Sequence, residues 1–169
     1  MTLTDINLYT IIIFAENKPG VLYRISDLFL RRKVNIESLT VSETEQPGIS
    51  RFTVAVNVDK QTVDKTVKHL DRIIEVVKVI AKSNDELVYK EVALVKVSIK
   101  DKRQEHAVSL IAHEFHTPIV LHRPGAITFE LTGSEQEVNL LFSKLKQYGI
   151  LEFVRSGRIA VLKDDKDIV

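Results

Sequence analysis

The 169-residue sequence contains no cysteine, which excludes a disulfide framework, a thiol nucleophile and a cysteine-ligated metal, and makes a reducing, cytoplasmic interior the simplest compartment. Charge of one sign is scarce too. Twenty-four Lys and Arg against twenty-three Asp and Glu leave a net charge of +1, spread along the chain rather than blocked, so neither a nucleic acid nor an anionic membrane is the expected partner. The apolar run from Tyr9 to Phe14 is far too short to span a bilayer, and Met1 to Asp5 carry no basic region leading into an apolar stretch. Catalytic signatures are missing as well: no GxxxxGK[ST] phosphate loop, no GxGxxG after a strand, no GxSxG elbow and no HExxH. Without a convergent acid-base pair, the Asp and Glu residues read as solvated faces of helices, and the chain reads as a protein with no reaction of its own.

What is present is an apolar fraction of 44%, enough for a buried core, arranged in a pattern that occurs twice. The Ile-rich run Leu8 to Phe14 has the length and composition of a strand buried on both faces or nearly so. After Glu16-Asn17-Lys18-Pro19-Gly20, apolar residues at Val21, Leu22, Ile25, Leu28 and Phe29 predict a helix over 19–33, with Pro19 at its first position and Asn17 able either to cap it or to hydrogen-bond a ligand. Val34 to Thr44 and Ile49 to Val58 read as two strands reversing at Gln46-Pro47-Gly48. Val63, Val67 and Leu70 mark a second helix, and Ile73 to Ile80 a closing strand.

The polar stretch from Ser83 to Glu86 is the expected boundary between domains 1–83 and 84–169. The order then repeats. Val92 to Ile99 predicts a strand, and Ala107, Val108, Leu110, Ile111 and Phe115 a helix. Ile119 to Leu121 and Ile127 to Leu131 predict two strands reversing at Arg123-Pro124-Gly125. Ser134 with Glu137 forms a capping-box signature for a helix bearing Val138, Leu141, Phe142 and Leu145, which Gly149 ends. Ile150 to Val154 and Ile159 to Leu162 supply the closing strand or hairpin, and the Lys163-to-Asp167 charge cluster a solvated tail. The fold class is therefore α+β, two ferredoxin-like βαββαβ domains in tandem.

Two groups of residues are candidates for chemistry. His106, His113, His116 and His122 crowd together, but His106 and His113 at i and i+7 stand about 10 Å apart on a helix, and no spacing here matches a zinc or iron motif. The other group is the turn at 16–22. Free N–H groups at a helix N-terminus, with the positive end of its dipole, suit a small carboxylate, and Gly20 lets a ligand approach the backbone.

Asn17-Lys18-Pro19-Gly20-Val21-Leu22, followed by Arg32-Lys33-Val34-Asn35-Ile36-Glu37-Ser38-Leu39 and Thr44-Glu45, resembles the ACT domain, and more narrowly the small regulatory subunit of acetolactate (acetohydroxyacid) synthase. Glu130-Leu131-Thr132-Gly133 and Tyr148-Gly149-Ile150-Leu151-Glu152 with Val154-Arg155-Ser156-Gly157 are similar to that family's C-terminal domain, so the resemblance spans the chain. Two departures are visible: Lys33 replaces the family's usual glycine, and the His122-Arg123-Pro124-Gly125 hairpin is short.

The resemblance implies an N-terminal ACT domain that pairs with a second copy and holds a branched-chain amino acid, most often valine, between them. Backbone groups near Gly20 and Val21 would take the carboxylate, with Asn17 beside them, and Asn35 and Ile36 of the facing subunit would take the amino group and line the side-chain pocket. It further implies a catalytic large subunit as partner, on which thiamine diphosphate, magnesium and FAD reside, so this chain carries no cofactor and no metal. A free-standing amino-acid or metal sensor, acting on another enzyme or on transcription, is the alternative; the absence of a helix-turn-helix and of a basic patch argues against direct DNA contact.

Overall fold

A computed structural model describes residues 6–164, so Met1 to Asp5 and the end of the Lys163-to-Asp167 cluster lie outside the described residues. The chain forms two compact units. Of the described residues, one contains 6–89 and 157–164, and the other 90–156. Each unit is a βαββαβ arrangement, as the sequence pattern predicts.

The first unit is built from β1 (Asn7–Glu16), α1 (Val21–Arg31), β2 (Ile36–Glu43), β3 (Ile49–Val58), α2 (Lys60–Leu70) and β4 (Val76–Ser83). Its sheet runs β2-β3-β1-β4, with each neighbouring pair antiparallel. The apolar character of β1 has a direct cause. Ile11, Ile13 and Ala15 pack with Val21, Ile25 and Phe29 of α1 and Val63 and Leu70 of α2, while Ile12, between Ile11 and Ile13, points the other way.

Ile12 is only 1% exposed because the chain returns to cover that second face. After a short 3-10 turn at 84–86, the chain enters β5 (Leu87–Ser98), whose Leu87 joins Ile12, Ile80 and Ala160 in a separate cluster. Ala160 belongs to β9 (Ile159–Leu162), which pairs with β5, and the Lys163 N–H donates to the Glu86 carbonyl at 3.0 Å. Arg158, 4% exposed, donates to Thr10 Oγ1 and Asn84 Oδ1 and lies over the Tyr89 ring at 4.6 Å. A buried guanidinium satisfied in this way fixes the returning segment on the sheet.

Beyond the start of β5, the second unit continues with α3 (Lys102–Glu114), β6 (Ile119–Arg123), β7 (Ala126–Gly133), α4 (Glu135–Leu145) and β8 (Ile150–Arg155), in sheet order β6-β7-β5-β8. Here β5 alternates: Ala93, Val95 and Val97 are buried with Ile127, Phe129, Val138 and Leu141, whereas Val92 and Leu94 are exposed. One face is covered by helices and the other is open. The predicted capping box forms at Ser134 and Glu137, and the Ser134 backbone N–H holds the Glu137 carboxyl below the usual carboxylate range.

The first helix of each unit ends in the same way. The Val34 N–H returns to the Phe29 carbonyl and the Lys33 N–H to that of Leu30, with Lys33 at φ 56°. The Thr117 N–H likewise bonds the Ala112 carbonyl and the His116 N–H that of His113, with His116 at φ 53°. Both are Schellman closures whose left-handed position is occupied by a residue other than glycine. The start of α1 differs from the sequence expectation: Pro19 lies in the preceding turn, Gly20 is the N-cap at φ 89°, and no side chain caps the helix. A left-handed residue bends the chain more sharply than a proline-led entry, and only glycine takes φ 89° without strain.

Two substitutions test these backbone readings. Lys33→Gly relieves a left-handed lysine and should raise unfolding stability by about 0.5–1 kcal/mol, read from urea midpoints. Gly157→Ala should lower it by about 1–3 kcal/mol, because a Cβ at Gly157 would stand 2.5 Å from Thr40 Oγ1 and 3.2 Å from the Leu39 backbone; unchanged stability would mean the returning segment does not lie against β2.

Candidate effector site

The turn between β1 and α1 is fastened to its neighbours by backbone bonds. The Glu16 N–H donates to the Glu75 carbonyl at 2.9 Å and the Asn17 N–H to that of Gly48 at 2.8 Å. These bonds hold the turn to the segments at Glu75 and Gly48. The Val21 N–H donates to the Lys18 carbonyl at 3.3 Å, so the backbone donors that no other described residue occupies belong to Gly20, Leu22 and Tyr23. Val21 itself is buried in the core, 3% exposed, and contributes position rather than a contact surface. A Cβ built on Gly20 meets nothing within 4 Å, so the glycine faces open space.

Asn17 does not cap the helix. Its Nδ2 donates to Glu43 Oε1 at 2.5 Å, across to the last residue of β2. A carboxylate is a stronger acceptor for the amide than a water-exposed carbonyl, and the bond ties the turn to the edge strand. Lys18 pairs with Glu16 at 2.7 Å, and that carboxylate raises the lysine above its usual value. Both groups are solvent-exposed, so the pair shapes the local field more than it stabilises the fold.

Asn35 and Ile36 stand elsewhere in the same chain. They follow α1, whose 11 residues span about 16 Å, and so lie at the opposite end of that helix from Gly20. The Asn35 side chain donates to Glu37 Oε1 at 3.0 Å, and Ile36 packs partly buried against the core of the first unit. One chain therefore brings Asn17, Gly20 and Val21 together and leaves Asn35 and Ile36 apart. Glu43 is the participant that the sequence does not reveal, since nothing in its neighbourhood distinguishes it from any other polar residue at a strand end.

The histidines do not converge. The His113 and His116 rings stack at 6.4 Å, and His122 Nε2 lies 3.2 Å from Glu105 Oε1. Among the described residues no three His, Asp or Glu side chains come together as a metal-binding group, and no helix is long and apolar enough to cross a membrane.

Comparison with known proteins places both units in one lineage. Residues 11–78 match the small subunit-like ACT domain of acetohydroxyacid synthase, and residues 90–164 match the small subunit of acetolactate synthase. The acetolactate synthase small subunit of Haemophilus influenzae is 36% identical over 93% of this chain and 96% of its own length. This chain belongs to the acetolactate synthase small-subunit family. The Mycolicibacterium smegmatis small subunit is 34% identical over 95% of this chain and 94% of its own. In three dimensions, the crystal structure of the Thermotoga maritima small subunit superposes with a TM-score of 0.86 at 31% identity, over 94% of this chain and 98% of that one.

The Asn17 to Glu43 bond can be tested by charge. Asn17→Asp would set two carboxylates at hydrogen-bonding distance, and the repulsion should hold a proton on one of them above the usual carboxylate range. Carbon-detected NMR titration of the variant reads this directly, and carboxyl titrations that match wild type would mean the two side chains do not meet.

Proposed function

We propose that this chain is a regulatory subunit without chemistry of its own, which raises the activity of a separate thiamine-diphosphate-dependent acetolactate synthase large subunit and makes it sensitive to a branched-chain amino acid, valine first. The large subunit carries thiamine diphosphate, magnesium and FAD. The observation that carries the effector site is the position of β2, which pairs only with β3 among the described strands and so has a free edge. Two copies joined antiparallel along that edge, about a two-fold axis between Leu39 and Thr40, set Ile36 of one opposite Glu43 of the other. Glu43 holds Asn17, so the second copy's Asn35 and Ile36 arrive beside the open turn at Gly20.

In that pairing each group meets a suitable part of the ligand. The α-carboxylate faces the N–H groups of Gly20, Leu22 and Tyr23 at the positive end of α1. The α-ammonium meets the amide oxygen of Asn35, and Ile36 supplies apolar surface for the isopropyl group. A ligand that binds only the paired state favours pairing by mass action, and its effect on the catalytic subunit follows from that shift in population. The similarity of both halves to named small subunits supports this reading over the sensor alternative.

Gly20→Asp separates regulation from activation. At about 4 Å from the ligand carboxylate, the new charge repels it by roughly 4 kcal/mol at an effective dielectric near 20, close to a thousandfold loss of affinity. Because Gly20 has φ 89°, any side chain there also costs about 1–2 kcal/mol of folding stability, which Gly20→Ala shares without the charge. With the reconstituted holoenzyme, valine should inhibit wild type, fail against Gly20→Asp and retain effect on Gly20→Ala, while all three raise acetolactate formation. The reading fails if this chain alone forms acetolactate, or if Gly20→Asp is inhibited like wild type.

A further inference from the structure

The face of the first unit's sheet that turns away from α1 and α2 is only partly filled by the returning segment. A cavity of about 260 Å³ opens there, floored by Ile12, Phe14 and Ile80 and walled by Leu162 of β9, by Arg51 and by the β2–β3 hairpin with Glu43 and Glu45. This combination of an apolar floor and a few polar groups is the usual make-up of a small-molecule site, and the volume suits a metabolite rather than a larger ligand.

Arg51 is the informative member. It sits on β3 opposite Phe14 of β1 and Ser42 of β2, partly buried, with its guanidinium 5.4 Å from the Phe14 ring centroid. One amino group donates to the Ala160 carbonyl. No carboxylate lies within ion-pair distance of it among the described residues. Burial accordingly pushes the guanidinium below its usual range, with Glu45 nearby opposing that shift. Burying a cation without an anion is unfavourable, and an arriving carboxylate would receive a two-pronged hydrogen bond from the remaining N–H groups. Glu45 is exposed and makes no hydrogen bond among the described residues, whereas Glu43 is occupied by Asn17.

We infer that this cavity binds a small aliphatic α-amino acid, its carboxylate on Arg51, its ammonium on Glu45 and its side chain on Ile12, Ile80 and Leu162. The site is complete within one chain. It differs in this from the effector site at the β2 edge, which needs two copies, and it does not depend on that reading.

Methyl-resolved NMR of the full-length chain, with Ile, Leu and Val labelled, distinguishes the two sites. L-valine should shift the methyl signals of Ile12, Ile80 and Leu162, and should do so equally in Gly20→Asp, while signals of Val21 and Ile36 report the edge site independently. Arg51→Gln should weaken the cavity response about tenfold or more, as expected for a lost charge-assisted bond. Should that variant unfold, Glu45→Gln on the exposed hairpin provides the same test, since it should weaken valine while leaving 3-methylbutanoate, which lacks the ammonium, unchanged. Isobutylamine, which lacks the carboxylate, should not bind. Silence of the three cavity methyls at millimolar valine overturns the inference, as does a response that survives both substitutions or that isobutylamine reproduces.

Discussion

The structure depends on a single strand having no solvent face. β1 is the inner strand to which both β3 and β4 are bonded, and it presents Ile11 and Ile13 to the helices and Ile12 to the returning segment. Each fully buried isoleucine contributes roughly 1.5–3 kcal/mol of hydrophobic stabilisation, so leaving either face wet would forfeit a large share of a small domain's margin. Covering both faces determines where everything else goes. The helices take one side, which brings the start of α1 to the end of β1 and creates the open turn at Gly20. The last described strand takes the other side, and its Leu162 walls the cavity beside Arg51.

The two units solve the same problem differently although their topologies coincide. In the second, β5 places Ala93, Val95 and Val97 against the helices and leaves Val92 and Leu94 exposed on an open face. The difference lies in burial and not in composition, since Val92-Ala93-Leu94-Val95 is itself an unbroken apolar run although Val92 and Leu94 face outward. The Ile-rich run of β1 is legible as a strand buried on both faces, whereas nothing in the composition of 92–95 tells that one face of β5 stays open.

What the sequence concealed are relations between distant segments. The strand at Ile159 is legible as a strand, but not as the element that closes the second half with 150–154, since it pairs with β5 and packs against Ile12 and Ile80 in the first unit; Gly157 and Arg158 look like loop residues until their proximity to Thr40 and Thr10 is seen. At the candidate site, Gly20 was legible because few residues follow a strand and open a helix in that way. Its exact role was not, since Pro19 looked like the helix start and the left-handed conformation belongs to Gly20. Asn17 was legible as a polar side chain near the turn, but its partner Glu43 is 26 positions away, beyond the reach of any local rule. Lys33 shows the reverse: a departure from a familiar pattern that the fold absorbs, keeping the left-handed helix end with a side chain attached.

The returning segment also orders the birth of the molecule. Synthesis delivers the first unit's helices and four strands early, yet Ala160 and Leu162, which help to shield Ile12 and Ile80, are made only after residues 90–156. Domains generally fold as they emerge from the ribosome, N-terminal first. Here the first unit stays half-dressed, with an aliphatic stripe facing water, for the whole time that the second is being translated. The first strand therefore meets residues 158–162 only after the second unit has been made, and a nascent chain truncated before Arg158 would keep that stripe open, as a surface for chaperones and for other incomplete copies of itself.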